Sequence, residues 1–169
     1  MSMSLYEVTV PVFVKTLANL KAVLGKAKAH ALERKIEETA FVNARLYPDM
    51  FPLSRQVQIA TDIARGCAAR LAGVEPPSYE DNEQSFDDLV ARIDRTVEYM
   101  RGLDAKQFEG ADARTITRPV RGQPHAFTGT NYLLQFATPN VYFHTATAYD
   151  ILRHNGVPLG KADYLGTLD

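Results

Sequence analysis

Four stretches of this sequence repeat apolar residues at spacings of three and four, and that pattern limits what the chain can fold into. Phe13, Leu17, Leu20, Leu24 and Ala27 make the first stripe. Val57, Ala60, Ala64, Cys67 and Leu71 make the second, widened by Ile59 and Ile63. Phe86, Leu89, Ile93, Val97, Met100 and Leu103 make the third, and Ala148, Ile151 and Leu152 belong to the fourth. Residues spaced this way share one side of an α-helix, and each such helix must bury that side against another.

End signals bound the helices. Ser4 and Glu7 form a capping box, Ser54 and Ser85 are N-cap residues, and Asp87 and Asp88 fall in a first turn, where the helix dipole favours negative charge. Gly73 and Gly156 are left-handed stops. The pattern predicts helices at about 4–28, 54–72, 85–103 and 129–155, with a short one around 32–38. Pro11 should bend the first, because it has no N–H and crowds the carbonyl of Glu7. A kink is expected near Pro139; alternatively the last helix splits, with Thr138 as the second N-cap and Pro139 at its first position. Thr115-Ile-Thr and His125-Ala-Phe-Thr flank Arg121-Gly-Gln-Pro and read as two short strands around a turn. The expected architecture is all-α: one domain over 1–169, a four-helix bundle with a small β-hairpin before the last helix.

At 169 residues the chain can bury a core without disulfide or metal staples. A formal net charge of −1 gives no footprint for nucleic acid or anionic lipid. No apolar run approaches the ~20 residues of a membrane span. The start, Met-Ser-Met-Ser-Leu-Tyr-Glu, lacks a cationic, apolar leader. Cys67 stands alone, so an internal disulfide and a Cys-x-x-Cys site are excluded. The reading is a soluble cytoplasmic domain with no nucleic-acid or membrane partner.

The candidate site is a polar pair, Asn140 and His144, one turn apart on the helical face that continues through Ala148 to Ile151 and Leu152. A histidine in an apolar stripe is more often a hydrogen-bonded core residue than a ligand. A second polar group beside it raises the functional share, because two buried polar groups need partners or a ligand. On the second helix, Gln58 and Asp62 lie one turn apart. An exposed ridge is the plainer reading, but turned inward the pair would meet Asn140 and His144, and Asp62 would orient or charge the imidazole. Position 148 is alanine, His154 lies ~15 Å further along the axis, and His30 and His125 fall in loop-like segments, so the residues argue against a three-histidine metal site. Cys67 reads as a small core residue, and Arg114, Arg118 and Arg121 as a solvated basic face. Gly156 and Gly160 follow a helix rather than open one and are no phosphate loop; a Gly-x-Ser-x-Gly elbow is absent.

Four strings carry a resemblance: Pro48-Asp-Met-Phe-Pro-Leu53, Pro139-Asn-Val-Tyr-Phe-His144, Ala148-Tyr-Asp-Ile-Leu-Arg-His-Asn-Gly156 and Leu159-Gly-Lys-Ala-Asp-Tyr-Leu-Gly166. They are similar to a bacterial domain-of-unknown-function family grouped with the DinB/YfiT-like metalloenzymes. The resemblance covers nearly the whole chain and implies a DinB-like four-helix bundle, commonly a homodimer, with no assigned biochemical function. In the wider group a divalent metal is held by one histidine of the second helix and a His-x-x-x-His pair of the last. Only His144 carries over; the second member of the pair falls on Ala148, and the second-helix position, near Ala60–Asp62, has no histidine. The leading expectation is therefore a small-molecule pocket lined by Asn140 and His144, with Gln58, Asp62 and Tyr149 as further candidates, no metal and no cofactor. The rivals are an enzyme using His144 as general base or in an unusual ligand set with Asp62, and a homodimeric interaction module whose buried polar groups fix register.

Overall fold

The computed structural model describes residues 3–167; residues 1–2 and 168–169 of the expected 1–169 domain lie outside the described part. Helix α1 spans Val10–Arg34, α2 Glu38–Val42, α3 Leu53–Leu71 and α4 Phe86–Arg101. A 3-10 turn at Ala105–Phe108 leads to strands β1, Thr115–Val120, and β2, Gln123–Thr128. The last long helical run opens with α5, Gly129–Asn131, passes through a π-helical segment at Tyr132–Ala137 and continues as α6, Thr138–His154. A short α7, Lys161–Leu165, is the last element.

The four long elements form a ring in which α1 packs on α4, α4 on α3, α3 on α6 and α6 on α1. Their stripes meet at the centre: Phe13, Leu17, Leu24, Val57, Ala60, Ala64, Cys67, Leu71, Leu89, Ile93, Ala148, Ile151 and Leu152 are all buried. Among the described residues no helix is long and apolar enough to cross a membrane. The fold class is thus an all-helical bundle with a two-stranded antiparallel hairpin before the last helix.

Several boundaries move. The first helix runs on to Arg34, and the short helix lies at Glu38–Val42 rather than 32–38. Ser4 and Glu7 do exchange capping hydrogen bonds, but they close a turn ahead of α1. Pro11 consequently sits in the first turn, where its missing N–H has no intrahelical partner to lose, and it does not bend the helix. At α3 the N-cap position is Pro52, not Ser54, and no side chain caps it. Ser85 caps α4 as expected, in a capping box with Asp88. The hairpin turns through Arg121 (φ 50°) and Gly122 (φ 78°), two left-handed residues in a two-residue loop. Neither sequence alternative for the last helix holds in full. Thr138 is itself right-handed helical and caps nothing, and the chain passes Pro139 without a break. The π-helical turn absorbs the proline instead, with the Thr138 N–H reaching back five residues to Leu133.

Candidate functional site

His144 stands where α6 faces α3, 9% exposed. Its partner is Gln56, three residues beyond Leu53 and one turn before Ala60 on the buried face of α3. The Gln56 Nε2 donates to the carbonyl of Phe51 at 3.0 Å, so its Oε1 is left to accept. That oxygen lies 2.7 Å from His144 Nδ1. A carboxamide oxygen cannot donate, so Nδ1 carries the proton and the neutral imidazole presents a lone pair at Nε2. Among the described residues Nε2 has no hydrogen-bond partner, yet it is not sealed from solvent. Burial, with the nearby Arg55 guanidinium adding to it, lowers the His144 pKa from 6.5 to about 4. The ring is therefore neutral at physiological pH and a poor base. Phe143 packs edge-on against it at 5.2 Å, with more than half of its own surface in solvent.

The other expected site residues do not converge on this ring. Asn140 is half-buried and turns back on its own helix, donating to the Phe136 carbonyl at 2.6 Å beside the π-helical turn. Gln58 and Asp62 serve the segment between α3 and α4. Gln58 donates to Glu83 at 2.8 Å and accepts from Arg55 at 3.2 Å. Asp62 accepts from Arg65 at 2.9 Å and from Arg92 at 2.7 Å. Arg92 is the centre of that network. Its side chain is 1% exposed and also donates to Thr61, to the Glu80 carbonyl and to Glu83, with Asp81 at 3.0 Å. Burial alone would lower its pKa, but Glu83 and Asp62 outweigh burial and hold it above its ordinary value. Tyr149 lies on another side again, its ring 6.0 Å from that of Tyr164 in α7.

Sequence reasoning overlooked Gln56. The signal was available: it is a polar residue on the face that carries Leu53 and Ala60, and such a residue needs a partner from a facing helix.

A divalent metal, implied by the resemblance, needs three or more donors around one point. His144 offers Nε2 alone, since Nδ1 is committed to Gln56; Ala148 offers nothing, and Asp62 is held by two arginines. Among the described residues no group of three His, Cys, Asp or Glu side chains comes together. These residues do not fit the metal.

The family model for a domain of unknown function (DUF1993) matches residues 5–165. No curated protein matches the chain. The crystal structure of a DinB family member protein from Shewanella denitrificans superimposes with a TM-score of 0.92 at 43% identity, covering 97% of this chain and 93% of that one. With the bundle, the hairpin and nearly its whole length matched, the chain belongs to the DUF1993 family of DinB-like proteins.

Proposed function

We propose that this protein binds a neutral aromatic small molecule through a hydrogen bond donated to His144 Nε2, with no resident metal and no catalysis by the histidine. One observation carries the reading: the Phe51–Gln56–His144 relay fixes the tautomer and leaves Nε2 a pre-set acceptor without a partner among the described residues. Setting a buried ring by hydrogen bonds from behind is how a polar group is pre-organised for a ligand, since less order is lost on binding. The low basicity favours acceptance of a hydrogen bond over proton abstraction at neutral pH. Phe143 beside the ring supplies an exposed aromatic surface for the apolar body.

The test uses phenol, indole and benzimidazole as probes, with the ring nitrogens of His144 observed by NMR. At least one should shift the Nε2 resonance saturably. His144→Asn keeps a donor for Gln56 but removes Nε2, so it should abolish that shift while the melting temperature stays within a few degrees of wild type. Metal analysis of untagged protein should find substoichiometric zinc, nickel, iron and manganese. Silence of Nε2 towards all three probes, or one tightly held ion per chain lost in His144→Asn, would overturn the proposal.

The interaction-module reading is favoured by a different observation. Leu134, Tyr142 and Phe143 are large apolar residues left 40–60% exposed along the last helical run. A homodimer closing over them would dissociate on dilution in sedimentation experiments, and a monomer at every concentration removes it.

A further inference from the structure

On the side of α6 away from His144, a cavity of about 550 Å3 opens between α1, α6 and α7. Tyr142 borders it, two residues and hence ~200° around the helix from the imidazole. Val12, Tyr164 and Leu165 complete an apolar wall, and the polar side chains are Lys15, Thr16 and Asn19. The volume suits a small molecule.

The wall formed by α7 is fastened in place. Asn19 Nδ2 donates to the carbonyls of Tyr164 at 3.2 Å and Leu165 at 2.9 Å. Lys26 pairs with Asp163, and the hydroxyls of Tyr164 and Thr145 lie 3.2 Å apart. Gly166, at φ 66°, passes so near the Asn19 carboxamide that a Cβ there would displace it.

The polar inventory then selects the ligand. The Thr16 hydroxyl is spent on the Val12 carbonyl and the Asn19 amide on α7, so neither has a donor to give. Lys15 has no ion pair among the described residues. It also borders a second cavity of about 390 Å3, whose other charged lining residue is Arg101. No carboxylate lines either cavity. We propose that the larger cavity binds an apolar monocarboxylate, its carboxylate at the Lys15 ammonium and its hydrocarbon body against Val12, Tyr142 and Leu165.

Octanoate is the probe and octan-1-ol its uncharged counterpart, followed through the methyl resonances of Val12 and Leu165. Octanoate should shift them saturably and bind more tightly than the alcohol. Lys15→Gln should weaken octanoate about three-fold, the scale of an exposed charge pair, and leave octanol unchanged. Val12→Trp, at a half-exposed wall position, should fill the cavity and abolish binding of both, with circular dichroism and the melt confirming that the bundle is intact. Absence of a saturable shift, retained binding in Val12→Trp, or equal weakening of acid and alcohol in Lys15→Gln would overturn the inference. The His144 ring resonances, on the far side of α6, should not respond to octanoate, so success or failure here is read separately from that of the imidazole site.

Discussion

At the scale of single residues, the two nitrogens of His144 differ. Nδ1 is bonded to Gln56 and Nε2 has no partner among the described residues. A histidine whose folded-state pKa is about 4 takes up a proton more readily when unfolded, where its pKa is 6.5. Between those values the unfolded chain binds more protons, so stability falls as pH drops from about 6.5 towards 4 and is flat above that window. The full effect is on the order of 3 kcal/mol. Relative to His144→Asn, which lacks this titration, wild type should lose urea midpoint as pH falls from about 6.5 towards 4, so whatever advantage it holds at pH 7 should shrink or reverse. A parallel fall in both proteins would show that His144 does not set the slope. The carboxylates of Asp88 and Asp163 act in a lower window. Hydrogen bonds from the Gln84 and Ser85 backbone to Asp88, and Lys26 on Asp163, hold both below the ordinary range, so what they contribute is lost only in stronger acid. Much of this residue-level picture was beyond the sequence. Periodicity places His144 on an inward face, but which polar group it meets depends on which face of α3 turns towards α6. The rotation of α3 turns Gln56 to the imidazole and leaves Gln58 and Asp62 on the side of α4 and the segment before it.

At the scale of elements, the stripes were legible because burial repeats along a helix with the helix's own period. Leu71 and Ile93 are fully buried on α3 and α4. Truncating either to alanine should cost about 2–5 kcal/mol through the cavity it opens, measured as a drop in the denaturation midpoint at constant slope. Near-zero changes at both positions would be incompatible with the packing described. Element ends were harder to read, for reasons visible in particular residues. Glycine, proline and serine signal a possible end, but tertiary contact decides whether the helix uses it. Thus α1 overran to Arg34, Ser54 was bypassed in favour of Pro52, and Pro139 was accommodated by a π-helical turn that no spacing rule anticipates. The α7 helix is five residues long, too short for a periodic signal, and side chains of α1 and α6 hold it.

For the whole molecule, the ring of four helices was readable as a class, whereas the order in which they neighbour one another was not. The Arg92 network illustrates why: its partners come from α3 and from the segment between α3 and α4, and they are brought together only once the two helices are packed. The same closed packing has a consequence at Cys67. Its thiol is wholly enclosed by the bundle, and burial pushes its pKa well above the ordinary range. The folded protein thus hides its only sulfhydryl from any reagent in solution. Modification by a disulfide reagent must wait for the bundle to open, so the labelling rate becomes a clock for that opening. For a domain with at least about 5 kcal/mol of stability, labelling should be slowed a thousand-fold or more relative to the denatured chain. Leu71→Ala or Ile93→Ala should speed it by about thirty-fold at minimum, the kinetic image of their lost packing. Labelling as fast as that of a small free thiol would mean that the centre of the bundle breathes far more readily than its enclosed core implies.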